Sequence, residues 1–240
     1  MIHQQPGSSS NHSDSVATAT LRVDIIADLI CPWCYLGKRR LDVALDSVHG
    51  PSTLQWIPYQ LNPSMPLEGM GFDEYLISKF GDPAKVQPGL DGLMAQGVEQ
   101  GIRFRFDLIK RVPNTLAAHR LLSHAQTEGA SVASVAEGLL SGFFEDGLDI
   151  GRHDVLLDIG SNHGLQRSDI ARCLQDEALR LHLQEQEAEV RRGGVSGVPN
   201  FLINGRLFVI GAQPAPVLVE AFDRAMFGDD SEQPVSGSLH

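Results

Sequence analysis

Two cysteines, Cys31 and Cys34, stand either side of Pro32 and Trp33. They follow a β-like run, Leu21 to Ala27, and open a helix-like run that reaches about Val48. Cysteines three apart on a first helical turn share a face, so their sulfurs can close into a small disulfide ring. Pro32 falls at the first helical position, where its missing N–H costs nothing. The free N–H groups and the positive end of the helix dipole favour a thiolate there over a thiol. Cys31, nearer the tip, is expected to be the exposed nucleophile. Cys34, one turn in, is expected to be the resolving partner. The chemistry that follows is dithiol–disulfide exchange. A zinc site would need a second ligand pair. The one other cysteine, Cys173, has no CxxC or HxxxH beside it, so no metal is expected.

The elements that must hold this pair read as follows. Leu21, Val23 and Ile25 alternate with Arg22, Asp24 and Ile26, and apolar residues on both faces indicate a central strand. Asp28 lies between this strand and the cysteines; it caps the turn, or it moves protons to and from Cys34. The first helix carries Leu41, Ala44 and Leu45 on the face of Cys34, and Gly50-Pro51 ends it. Thr53 to Gln60 reads as a second strand, irregular near Pro58. Strand, helix and strand over so short a stretch predict a βαβ unit with parallel strands.

From Phe72 to about Cys173 the signals are helical, with a weak strand signal at Ile102 to Phe106. Asn114 caps a run carrying Leu116, Leu121, Leu122 and Ala125, which Gly129 ends. Further helical runs cover Val132 to Phe144 and Val155 to Ile159. Asp176 to Arg192 is a helix with acids at its start and arginines at its end. Phe201-Leu202-Ile203 and Leu207 to Ile210 around Asn204-Gly205 predict a hairpin with a type I′ turn. Pro214 to Met226 closes the chain as an amphipathic helix. The organisation expected is an α/β fold with residues 21–66 and 176–227 as one domain and 67–175 as a helical insertion. Residues 1–20 and 228–240 read as disordered tails.

Composition narrows the function classes. Over 240 residues the formal net charge is −11, which argues against nucleic acid as a partner. No apolar run approaches the roughly 18 residues of a membrane span. Residues 1–20 have no secretory pattern, and three cysteines fit a reducing compartment, so a cytoplasmic protein is expected.

Asp28 to Gly37 (DLICPWCYLG), Pro113-Asn114-Thr115 with Ala118-His119-Arg120-Leu121, Gly197-Val198-Pro199 and Gly211-Ala212-Gln213 together resemble the DsbA family of thioredoxin-fold proteins, and within it the FrnE-like branch. The resemblance spans residues 21 to 227. It implies a thioredoxin fold interrupted by a large α-helical insertion domain, and a thiol-disulfide oxidoreductase or isomerase. It implies a cis peptide bond before Pro199, with the ring packed on the cysteines and the Val198 backbone free to pair with an extended substrate. Pro32 and Trp33 would also meet substrate, and Asn114 and His119 would line a substrate or glutathione site; for both residues capping or packing alone is the alternative. Kappa-class glutathione transferases and 2-hydroxychromene-2-carboxylate isomerases share this branch but carry serine where Cys31 stands. A glutathione-dependent isomerase or transferase acting on a small molecule is therefore the alternative function, and a chaperone-like binding module is a third. The substrate expected is a protein or small molecule bearing a thiol or disulfide. No cofactor is expected beyond the cysteine pair, with glutathione as a possible co-substrate. Cys173, on a helix with Ile170 and Leu174, reads as a buried structural thiol, with a third redox member as the alternative.

Overall fold

The computed structural model describes residues 20–82 and 86–228. The tails expected at 1–20 and 228–240 lie outside the described residues, except for residues 20 and 228. Strand β1 (Leu21–Ala27) is central, and all its residues but Arg22 are buried. The burial of Asp24 is offset by the Arg22 guanidinium, whose Nε lies 2.9 Å from Asp24 Oδ1. β2 (Ser52–Pro58) runs parallel to β1 in register from Leu21↔Ser52 to Ala27↔Pro58. β5 (Asn200–Ile203) lies antiparallel on the other side of β1, and β6 (Leu207–Ile210) forms the edge, giving the order β2-β1-β5-β6.

Helix α1 (Pro32–Leu45) connects β1 to β2. It stops short of the expected Val48, and residues 46–48 continue as a turn held by the Ser47 N–H on Ala44 O. The hairpin forms as predicted: Asn204 and Gly205 have φ of 50° and 67°, both in the region a type I′ turn requires. Arg206 adds a third residue to the connection, because Ile203 pairs with Leu207.

Between β2 and β5 the chain is mostly helical. It runs through β3 (Met70–Gly71), α2 (Phe72–Phe80), α3 (Gln87–Glu99), β4 (Arg111–Val112), α4 (Leu116–Thr127), α5 (Val132–Phe144), α6 (His153–Asn162), α7 (Arg167–Gln175) and α8 (Glu177–Arg192). α9 (Ala215–Phe227) then packs against α1. The strand expected at Ile102 to Phe106 is not one. Its alternation is real, since Ile102 and Phe104 are buried between exposed Arg103 and Arg105. No strand among the described residues pairs with it, however; the Arg105 N–H bonds Phe144 O at the end of α5. The small second sheet is β3 with β4 instead.

The insertion grips α1 directly. Tyr35 packs against Phe104 and Phe144, with ring centroids 5.9 and 6.1 Å away. Its hydroxyl lies 2.8 Å from Glu137 Oε1 and 2.6 Å from Glu145 Oε1, and burial foremost raises its pKa. Lys38, one of the few buried cations, pairs with Glu137 at 2.6 Å and Asp42 at 2.7 Å. Deleting Glu137 would strip the buried ammonium of one of its two carboxylates, a change worth about 3 kcal/mol. The helix that carries the cysteines is thus fixed on one side by the sheet and on another by the insertion.

Candidate active site

Cys31 is the N-cap of α1, with φ −92° and ψ 113°, and Pro32 is its first residue. The Cys31 carbonyl accepts the Cys34 and Tyr35 N–H groups at 3.0 and 3.2 Å, so the two cysteines are separated by one tight turn. The first turn contains no acid to oppose negative charge on sulfur. Both cysteines are free thiols. Trp33 projects outward, 42% exposed, whereas Cys31 is only 4% exposed and Cys34 is sealed. The expectation of an exposed Cys31 is thereby corrected. Its thiol is turned inward and donates to Val198 O, 3.7 Å away.

Burial pushes the Cys34 thiol well above the ordinary cysteine range, and the hydrogen bond and charge of Cys31 push the same way. The Asp28 backbone N–H, bonded to this sulfur, pulls in the opposite direction. Cys34 thus holds its proton more tightly than an ordinary cysteine.

The loop facing Cys31 is locked from three sides. The Val198–Pro199 peptide is cis. Gly37 on α1 leaves room for the ring; a Cβ there would stand 2.9 Å from Pro199 Cγ. Gly211, at φ 79°, donates its N–H to Pro199 O at 2.9 Å, and the next carbonyl, Ala212 O, accepts from Arg40 of α1. Asn200 Nδ2 bonds Gly197 O and tightens the same loop. A shallow groove leads away from Val198 and Pro199 between Val195, Ser196, Phe208 and Ile210.

Beneath the cysteines lies a polar floor. Asp28 accepts the Leu29 N–H at 2.8 Å and the Leu61 N–H at 2.7 Å, tying the β1–α1 turn to the end of β2. That is the turn-holding role expected of it, although the helix N-cap itself is Cys31. His119 Nε2 lies 3.4 Å from Asp28 Oδ1, both side chains fully buried. Neither ring nitrogen of His119 has a hydrogen-bond partner. The N-cap of α4 is Thr115 rather than the expected Asn114; Asn114, one residue earlier, accepts the Leu116 N–H at 3.0 Å through Oδ1, while its Nδ2 holds Met65 O at 2.8 Å.

The profile of the DSBA-like thioredoxin domain matches residues 22–223. The chain belongs to that family. A probable DsbA oxidoreductase from Streptomyces coelicolor is 27% identical with a TM-score of 0.77, over 91% of this chain and 94% of that one. Cytosolic disulfide reductase DsbM from Pseudomonas aeruginosa, solved with GSH, is 18% identical with a TM-score of 0.58, over 85% and 95%. A 2-hydroxychromene-2-carboxylate isomerase is 17% identical with a TM-score of 0.66, again over 85% and 95%. The last two likenesses concern the fold. The chain is thus an α/β DSBA-like thioredoxin domain with a helical insertion, in a family of thiol oxidoreductases.

In this DSBA-like domain the structure brings Cys31, Pro32, Trp33, Cys34, Val198 and Pro199 together. It places Asn114 and His119 behind them, in touch with the site through other residues. Asn114 accepts from Gln60 Nε2 at 3.2 Å, and the backbone of Gln60 is held by the buried Glu187 of α8, which Arg191 in turn engages. Gln60, Glu187 and Arg191 carry no local sequence signal as site residues. Their spacing of four on α8 marks the last two as a pair, but nothing in the sequence points to their target. Cys173 is buried as expected and pushed up to about 11 by desolvation, with Arg120 opposing. Among the described residues no group of three or more His, Cys, Asp or Glu could hold a metal ion. None of their helices is long and apolar enough to cross a membrane.

Proposed function

We propose that this chain is a dithiol–disulfide oxidoreductase with Cys31 as nucleophile and Cys34 as resolving thiol. The Cys31 thiolate attacks one sulfur of a substrate disulfide, the S–S bond breaks, and the other sulfur leaves as a thiolate. Cys34 then gives up its proton and attacks Cys31, releasing the second substrate thiolate and leaving the Cys31–Cys34 disulfide. The substrate gains two electrons and the protein loses them; the reverse sequence oxidises a dithiol. One observation carries the reading: two thiols one helical turn apart, the outer one against the Val198 carbonyl and the inner one sealed and holding its proton more tightly than an ordinary cysteine.

The cysteine pair is itself the redox group, so the reaction calls for no further cofactor, and glutathione fits as a small co-substrate. The Val198 backbone and Pro199, with Pro32 and Trp33, offer an edge for an extended peptide. Asn114 and His119 act as positioning residues, through Gln60 and Asp28. Three cysteines in 240 residues favour a reducing compartment, hence a cytoplasmic protein acting on thiols or disulfides there. Insulin reduction and glutathione conjugation, each measured on the wild type and on Cys31→Ser, test this. Insulin reduction that disappears in Cys31→Ser supports the exchange reading. Conjugation without insulin reduction would replace it with a glutathione-dependent transferase.

A further inference from the structure

The loop that faces Cys31 is anchored through the same helix that carries the cysteines. Gly37 and Arg40 are three apart on α1 and so lie on one face. A Cβ at Gly37 would stand 2.9 Å from Pro199 Cγ and 3.4 Å from Ala212 Cβ, so this face meets both the Pro199 loop and the turn after β6. Arg40 Nη1 donates to Ala212 O at 2.5 Å, and its Nη2 donates to Gln96 Oε1 of α3 at 2.9 Å. Gln96 Nε2 bonds back to Gly92 O on its own helix at 3.4 Å, which leaves the amide oxygen for the guanidinium. Gly211, the neighbour of Ala212, donates to Pro199 O at 2.9 Å, one step beyond the Asn200↔Ile210 pair of the β5–β6 ladder. An unbroken series of contacts thus runs from the insertion through Arg40 to the edge at Val198, whose carbonyl accepts from the Cys31 thiol. Burial lowers the Arg40 pKa, and the charge of Glu99 on the same α3 works against that.

We propose that Arg40, braced by Gln96, is a positioning residue that selects extended peptides by holding the Val198–Pro199 edge where a substrate backbone can pair with it. This rests on the exchange reading and on the peptide edge given above. The groove beside that edge is lined by uncharged residues, so a substrate is recognised there through its backbone and apolar side chains. Backbone pairing tolerates little displacement, because a hydrogen bond weakens steeply once its angle leaves the normal range. A disulfide without a peptide backbone does not use the edge and is indifferent to its position. The guanidinium suits the task. Its planar fork reaches two acceptors at once, whereas a lysine ammonium is a point charge on a flexible stem.

A pair of disulfides that both release alkyl thiols separates this role from a merely structural one. Reduced wild type, Arg40→Lys and Gln96→Leu are to be mixed with a disulfide linking two copies of a short unstructured peptide, and with bis(2-hydroxyethyl) disulfide, which has no peptide group. The first exchange step is followed over a range of concentrations of each. Arg40→Lys should lose about tenfold in kcat/KM on the peptide disulfide, through a raised KM rather than a lowered kcat, and less than about twofold on the other. Gln96→Leu, at a half-buried position of α3, should give a smaller loss of the same pattern. A peptide-selective loss in either variant supports the assignment. Equal losses on both disulfides, or no loss in either variant, would overturn it. A wild type that reacts with neither disulfide would instead sink the exchange reading, and one that reacts with both but does not prefer the peptide would remove the peptide edge and this proposal with it.

Discussion

Cys34 and Cys173 are both thiols enclosed by the fold, and on each of them burial is the strongest influence. Each is pushed above the ordinary cysteine range, Cys173 to about 11. Their neighbours differ. Cys173, on α7, has the positive charge of Arg120 working to lower its pKa, and Asp176 working against that. Cys34 has a second sulfur one helical turn away and the backbone N–H of Asp28 on its own sulfur. A guanidinium nearby has not made Cys173 a thiolate, since desolvation outweighs it. What sets Cys34 apart is a second sulfur close enough to act on its proton.

The largest effect that could break this contrast is at Cys31. Replacing it with Ser removes the attacking sulfur and leaves Cys34 sealed, so disulfide exchange should fall by more than about a thousandfold. A stopped-flow measurement with glutathione disulfide checks it; residual exchange within tenfold of wild type would mean that Cys34 reaches substrate unaided. Cys34→Ala should spare the first attack and abolish release. Mixed disulfides on Cys31 should then accumulate on non-reducing gels and vanish with dithiothreitol. If Cys31→Ala trapped them instead, nucleophile and resolver would be exchanged.

How much of this was legible in the sequence follows the range of each interaction. The strand at Leu21 to Ala27, the start of α1 at Pro32 and the Asn204-Gly205 turn are encoded by residues next to one another, and all three form where the sequence indicates. The extent of α1 was overread at Val48, because apolar periodicity continues into a turn. Ile102 to Phe106 alternates like a strand, yet a strand also needs a partner, and the nearest backbone is Phe144 at a helix end. The inward turn of Cys31 depends on a carbonyl 167 positions away. His119 was singled out by type; only its fold neighbours place it on Asp28 rather than in an open wall. Gln60 and Glu187 give no signal, since each matters for what it touches across the domain.

The contrast sharpens with pH. A thiol whose pKa is raised on folding contributes stability that is present below the unfolded value, about 8.5, and lost as pH rises toward the folded one. Cys34 and Cys173 both carry this sign in the reduced protein. In the oxidised protein Cys34 has no proton to lose, so only Cys173 contributes, by about 2 kcal/mol once partial access of water is allowed for. Tyr35 and Tyr75 are raised in the same sense, but they act in both redox forms and largely cancel in the difference. Urea unfolding between pH 8 and about 10.5 should therefore show the reduced form losing stability more steeply than the oxidised form. Parallel curves would mean that Cys34 is no more shielded from water than in the unfolded chain.

The smallest effect is expected where the sequence would tempt one to look for a third redox cysteine. Cys173→Ala removes a buried sulfur that touches Ile170 and Leu174 only as part of the apolar core, so stability should fall by about 1 kcal/mol. The Arg120 guanidinium keeps its bond to Leu174 O, and no charge is stranded by the change. Exchange with glutathione disulfide should stay within twofold of wild type, because the variant leaves both α1 sulfurs and the Val198 loop untouched. The alkaline loss of stability in the oxidised form should flatten, since its raised thiol has gone. Those two readouts pull in different directions only if Cys173 is inert toward disulfides and titrates late. A tenfold fall in exchange, or an unchanged alkaline slope, would each show that a cation beside a buried thiol does more than the comparison with Cys34 allows.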